Sequence, residues 1–503
     1  MAHPPVRSRV LTGLHAHPVA IECNVSSGLP STTLVGLADG AVREARQRIH
    51  SAIRHAGFNY PQGRVVINLA PAHLNKVGTH LDLAMALSIL AATAQIDTSR
   101  MSDFEFLGEL GLFGELRSIP GVLACAAAVH AAGRTLIAPS ACAEHLSLAP
   151  CGCVGTVPNL TSAAQLLNST SPPTRPPELT PVDRTEAPAG LSTIIGQSAA
   201  KRALVIAAAG GHHLLMVGPP GTGKTMLARS IVELLPALDR RSAMQVAALY
   251  SAAGVARDDP YRPPFRDPHH SASIQSLVGG GRTPLPGEAA FAHLGVLFLD
   301  EVPHFQPSVL NALREPLEAK EVVISRANYR VTYPTNFQLV AAMNPCPAGR
   351  VCDADLCRCT SNQVANYQNR VSGPMLDRVD LQITLQPIAT ALLQKLATRR
   401  EDARGLKDDV IRARTRQKAR QLELNSNLNL DDLGHHIARA DLDIARFDDR
   451  CRALRISARG YHKLWRVALT IADLAGADRI NSDHLHEALS YRELDWEGRL
   501  GLG

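Results

Sequence analysis

The feature that most constrains this chain is a run of eight residues, GPPGTGKT, set between the apolar stretch HLLMVG and the helix-forming MLARSIVELL. Strand, glycine-rich loop and helix in that order are what a phosphate-binding loop requires. Gly218, Gly221 and Gly223 permit backbone conformations closed to other residues, so successive N–H groups and the helix N-terminus can face a polyphosphate. The predicted nucleotide cradle is therefore Gly218, Pro219, Pro220, Gly221, Thr222, Gly223, Lys224 and Thr225, with ATP as the expected ligand. Lys224 would reach the β and γ phosphates, and Thr225 would offer its hydroxyl to Mg²⁺.

Some 75 residues on, GVLFLDE ends a buried-strand pattern in Asp300 and Glu301. Carboxylates at a strand's carboxyl end lie at the crevice where α/β sheets bind ligands. Asp300 is the expected holder of the Mg²⁺ shell, and Glu301 the group that polarises the attacking water. A further strand, FQLVAAMN, ends at Asn344, a neutral residue suited to orienting that water. In SGPMLDRVDL, Arg378 stands before another apolar strand, where an arginine can stabilise a transferring phosphoryl group from a neighbouring subunit. Taken alone, Arg378 reads more readily as a surface partner of Asp377 or Asp380.

At 503 residues the chain is too long for one core, and two to four domains are expected. No apolar run reaches the roughly 18 to 20 residues that span a bilayer, and the start, MAHPPVRSRV, lacks a secretory pattern, so the expectation is a cytoplasmic protein with no membrane partner. The Pro-rich stretch 168–190 replaces apolar periodicity with proline and small polar residues and reads as a linker. It divides an α/β domain, 1–167, from a nucleotide module at 191–388. Helical patterning dominates 389–503. The net charge of +6 is compatible with a polyanionic partner and decides nothing alone.

GPPGTGKT, FRDPHHSAS, VGGGRTPLPGE, HLGVLFLDE, FQLVAAMNPCP, SGPMLDRVDL and SARGYHKLWRVALTIADL together resemble the Mg-chelatase-like AAA+ proteins of the ComM/YifB group, over essentially the whole chain. The resemblance implies an AAA+ P-loop domain with a C-terminal helical lid, a homo-oligomeric ring of six subunits, and a DNA helicase that promotes branch migration on single-stranded or branched DNA. It makes Lys224 and Thr225 the Walker A pair, Asp300 and Glu301 the Walker B pair, Asn344 the first sensor, Arg378 the finger and Arg459 the second sensor. A motor acting on a protein partner, by remodelling or in the manner of a chelatase, is the alternative. The N-terminal domain resembles the Lon-type, ribosomal S5-like protease fold. The serine–lysine dyad of that fold is missing: KVGTHLDLAMA offers Thr79 and His80 but no serine, and Leu123 stands where the lysine would be. An apolar side chain accepts no proton, so a scaffold or collar is expected rather than a peptidase.

Four of the ten cysteines, Cys346, Cys352, Cys357 and Cys359, share one polar loop. Four thiolates in such a loop suit tetrahedral Zn²⁺; reduced surface thiols are the other reading. EVVISRANYRVTYPTNFQLV reads as a hairpin with Arg326 and Arg330 near its turn, placed to touch DNA phosphates without reading bases, or else simply solvated. His269 and His270 read as structural hydrogen-bonding residues. The basic run DDVIRARTRQKARQLELN reads as a solvated or intersubunit helix more readily than as a DNA platform.

Overall fold

The computed structural model describes residues 4–150, 152–178, 189–255, 257–281, 284–326, 329–349, 359–371, 373–387, 404–453 and 456–492. The chain clusters into two compact units. One comprises Met1–Pro181, Leu238–Tyr261 and Val323–Tyr333; the other comprises Val182–Ala237, Arg262–Val322 and Pro334–Gly503.

The first unit carries a four-stranded sheet ordered Val6–Thr12, His15–Ser26, Arg64–Ala70, Ser31–Val35, in which only the last pairing is parallel. Helices Gly40–His55 and Asp82–Ala92 cover it, and Val42, Ile49 and Ile53 meet Val65, Ile67 and Leu69 in one apolar core. Asp39 starts the first of these helices by accepting a bond from Val42 N. Thr79 donates to Glu109, and Leu123 is buried in helix Val122–Ala131. That helix packs in a second core with Ala243 and Tyr261, which the sequence places inside the nucleotide module.

In the second unit five parallel strands run in the order Phe265–Arg266, Val296–Leu299, Gln338–Met343, Leu214–Val217, Leu381–Thr384. Both faces are covered, so the strands are continuous apolar runs instead of alternating ones. Leu214, Met216, Val296, Phe298, Val340 and Ala342 join the core shared with Trp465 and Leu464 of the helical region, whereas Leu215, Val217, Leu297, Leu299, Leu339 and Ala341 join the core on the opposite face. Successive side chains thus serve opposite layers, as the pleat demands. The phosphate-loop strand sits beside the strand whose carboxyl end leads to Asn344, and the next strand beyond that one ends at Asp300.

Within this unit the basic helix Arg404–Gln421 is anchored, not free. Arg414 donates to Ala208 O at 2.8 Å, Arg416 to Asp478 at 2.7 Å, and Arg420 to the buried Asp473 at 2.7 and 2.9 Å. Arg414, Arg416 and Arg420 are thus engaged by the fold, which the sequence alone does not reveal. Among the described residues no helix is long and apolar enough to cross a membrane.

Candidate active site

Strand Leu214–Val217 delivers the chain into the glycine loop, and helix Lys224–Leu234 leads out of it. Gly221 and Gly223 hold φ of +78° and +88°, the left-handed region that side chains resist. At Gly218 the constraint is space: an added Cβ would lie 2.8 Å from the Leu385 Cβ. The loop braces itself through Thr222, whose hydroxyl donates to Pro219 O at 2.8 Å.

The Lys224 ammonium donates to Gly218 O at 2.7 Å, Pro219 O at 3.0 Å and Asn344 Oδ1 at 3.0 Å. Burial lowers its pKa, and the nearby Asp300 and Glu301 charges work against that shift. Thr225 donates its hydroxyl to Asp300 Oδ2 at 2.8 Å, and the other Asp300 oxygen accepts the Glu301 N–H at 2.9 Å. A hydroxyl beside a carboxylate is an oxygen pair of the kind Mg²⁺ takes alongside phosphate oxygens. Glu301 is exposed at the strand's end with φ +51° and ψ +46°, an unusual conformation for a residue with a side chain. Lys224, Thr225, Asp300 and Asn344, separated by up to 120 residues in sequence, thus share one hydrogen-bonded constellation.

Arg229, one turn beyond Thr225, pairs with Asp267 at 2.9 Å and lies over the Phe265 ring. Asp267 has a raised pKa, from burial first and with the Asp300 charge adding to it. The FRDPHH segment therefore reaches the Asp300 side of the loop, which its histidines alone do not announce. His269 Nδ1 lies 2.7 Å from Ser271 Oγ. His270 and His304 are ring neighbours at 5.9 Å, as are His304 and Tyr367.

The two predicted arginines meet elsewhere in this unit. Arg378 is buried, and its guanidinium donates to Glu318, at the end of helix Arg314–Ala319. Arg459 is exposed in the first turn of helix Ala458–Leu474, where Ser457 caps by accepting from Gly460 N; its Nη1 lies 4.0 Å from the same Glu318 carboxylate. Lys463, one turn after Arg459, donates to Arg378 O at 2.6 Å and pairs with Asp380 at 2.7 Å. Burial lowers the Lys463 pKa against the pull of Asp380; burial would raise the Asp380 carboxyl, but the Lys463 charge and a hydrogen bond with His212 hold it well below the usual range. Of the two acidic residues flanking Arg378 in sequence, Asp380 is thus committed to Lys463 and the His213 backbone N–H. Glu318 and Lys463 were not singled out in the sequence. The i, i+4 spacing of Arg459 and Lys463 was a usable signal, whereas Glu318 carried none.

Arg326 and Arg330 are exposed on the facing strands Glu321–Arg326 and Tyr329–Pro334. Cys352 and Cys357 lie outside the described residues. Cys346 is buried and Cys359 partly exposed. Among the described residues no group of three or more His, Cys, Asp or Glu side chains is placed to hold a metal ion, so the zinc reading gains no support.

Three descriptions of one family match in succession: "Subunit ChlI of Mg-chelatase" over residues 21–142, "Magnesium chelatase, subunit ChlI" over 190–393, and "Magnesium chelatase, subunit ChlI C-terminal" over 400–492. The competence protein ComM of Haemophilus influenzae is 41% identical over 498 residues, covering 97% of each chain. YifB of Salmonella typhimurium, itself uncharacterized, is 41% identical over 493 residues, again 97% of each. The 67 kDa magnesium-chelatase subunit of Heliobacterium mobile is 30% identical over 190 residues, 32% of this chain and 28% of that one.

Proposed function

Since the chain belongs to the ComM/YifB family of Mg-chelatase-like AAA+ proteins, we propose that it is an ATPase that assembles as a six-membered ring and uses hydrolysis to move on single-stranded or branched DNA, promoting branch migration. The observation that carries the ATPase half is the convergence of Lys224, Thr225, Asp300 and Asn344 at the carboxyl edge of one parallel sheet. In this reading residues 191–388 are the motor, 389–503 the lid and 1–167 a collar without peptidase chemistry.

The loop N–H groups of Gly218–Thr225 and the Lys224 ammonium neutralise the β and γ phosphates. Thr225 and Asp300 would hold Mg²⁺, which when bound supplies charge neutralisation between the phosphates. Asn344 orients the attacking water and Glu301 polarises it, its exposed carboxylate standing at the mouth of the crevice. Arg378, with Arg459 beside it, meets the nucleotide of the adjacent subunit and stabilises charge in the transition state. Arg326 and Arg330 grip the DNA backbone without sequence preference.

The test is the ATPase rate of the purified chain without DNA, with single-stranded DNA and with a four-way junction, at two salt concentrations. Stimulation by DNA that fades with salt is the expected result. ATPase activity indifferent to every DNA would sink the nucleic-acid half and leave a motor that works on a protein partner.

A further inference from the structure

We propose that Glu318 is a positioning residue for hydrolysis: its carboxylate holds Arg378, and through the shared contact Arg459, in the attitude that meets a nucleotide bound by a neighbouring copy of this chain. The inference rests on reading Arg378 as the group that touches that nucleotide.

An arginine side chain has four rotatable bonds and no preferred direction of its own, so one that must meet a transition state in another subunit has to be fixed by its surroundings. Arg378 is fixed at both ends. Its carbonyl accepts from Lys463 at 2.6 Å, and the following Asp380 is tied through its backbone N–H to His213 O at 3.0 Å, beside the strand that leads into the glycine loop. At the other end the guanidinium donates to Glu318. The two partners differ in exposure: the Arg378 side chain is 9% exposed and that of Glu318 is 55% exposed. The carboxylate therefore stands at the more exposed end of the pair, whereas Lys463 and Asp380 hold the chain from the buried side.

The same carboxylate lies 4.0 Å from the exposed Arg459 Nη1, so one negative charge stands between two positive ones. The trio keeps a net positive charge, which suits an approaching polyphosphate, and a single carboxylate is enough to keep two like-charged guanidiniums within reach of one another. The predicted kinetic signature follows from where the arginines act. ATP is bound in the ground state by the loop Gly218–Thr225 of its own subunit, whereas the arginines oppose charge that grows in the transition state, so loss of their alignment falls on kcat and spares KM.

The experiment compares Glu318→Ala, Glu318→Gln, Arg378→Ala and the double variant Glu318→Ala/Arg378→Ala in the full chain, with ATP binding, assembly and thermal midpoint measured beside turnover. Glu318→Ala is expected to lower kcat by about tenfold to a hundredfold, the cost of misplacing a group by about 1 Å, with KM within about twofold of wild type. Glu318→Gln keeps an acceptor for the guanidinium and recovers part of the loss. The double variant is no slower than Arg378→Ala, because a residue that acts only through Arg378 has nothing left to position. Wild-type kcat in Glu318→Ala overturns the proposal. So does a loss that appears as a raised KM or a lowered thermal midpoint, or one that adds undiminished to Arg378→Ala, since each marks a structural effect. If Arg378→Ala itself turns over like wild type, the assignment of Arg378 fails and the role of Glu318 falls with it. If Arg378→Ala is slow and Glu318→Ala is not, only the positioning role is lost.

Discussion

Two histidines make the nucleotide-bearing sheet sensitive to acid. His213 Nδ1 accepts the Leu339 N–H at 3.0 Å, and His293 Nδ1 accepts the Asn336 N–H at 3.1 Å. Both bonds secure the start of strand Gln338–Met343, the one that ends at Asn344. Burial lowers both imidazoles to about 4, with Asp380 opposing the shift at His213. A protonated Nδ1 donates and cannot accept, so protonation strands two backbone N–H groups. Between about pH 6.5 and about pH 4 the unfolded chain binds more protons than the folded one at these sites. Their contribution is therefore fully present above about pH 6.5 and is lost as pH falls toward 4. The same linkage gives about 2 kcal/mol per histidine at pH 5, or about 4 kcal/mol for the pair, close to a thousandfold in local opening. The assay is hydrogen exchange over residues 336–344 at pH 7 and pH 5, corrected for the intrinsic pH dependence of exchange, with His213→Gln and His293→Gln as controls whose amide oxygen accepts at either pH. Equal corrected protection at the two pH values, or a titration of either ring above pH 6, would refute the reasoning.

Glu301→Gln should retain bound ATP while turnover falls by about a hundredfold or more, the usual worth of a positioned base, whereas Lys224→Ala should bind ATP poorly; nucleotide retention on a desalting column separates the two. If both variants hydrolyse ATP like wild type, the site assignment is wrong. Gly223→Ala meets no atom within 4 Å, so its cost, about 1 to 2 kcal/mol, is the backbone conformation alone at φ +88°. It should appear as a raised KM for ATP at nearly unchanged thermal midpoint, and an unchanged KM would remove the geometric argument. Neutralising Arg326 and Arg330 together should weaken DNA binding on all sequences alike and flatten its salt dependence by about two counterions, and an unaltered slope in a binding titration would take these arginines off the DNA.

The glycine loop was legible in the sequence because its chemistry is local: the strand, the turn and the helix that present N–H groups to a phosphate must be contiguous. Asp300, Glu301 and Asn344 were legible for a related reason, since each ends an apolar run and a parallel sheet collects such ends along one edge. What contiguity cannot express was not legible. The Lys224–Asn344 bond spans 120 residues, Glu318 lies in REPLEAKE with nothing to mark it among other charges, and the nitrogens of His213 and His293 acquire their role only when strands are placed beside them. Nor did the linear reading show that Leu238–Tyr261 and Val323–Tyr333 cluster with the N-terminal residues. Those attachments depend on small distant features. Gly121 N donates to Ser251 O at 2.9 Å, and Gly13 leaves room for Val331, whose Cγ1 would lie 2.2 Å from a Cβ added there.

Leu123, expected from the resemblance to a Lon-type fold at the place of a lysine, gives a chemical instance. Leu123 lies in an apolar core with Val122, Cys125, Ala126 and Ala243, on a helix that packs against Arg240–Ala252. An ammonium there would have to leave water for a site lined by aliphatic side chains, at a cost of several kcal/mol unless it found a carboxylate. Leucine instead gains burial and supplies a packing surface. Thr79, similarly, spends its hydroxyl on Glu109. Leu123 and Thr79 are both committed to contacts within the fold, and the core that holds Leu123 includes Ala243, from a segment that lies in sequence between the two motifs of the nucleotide site.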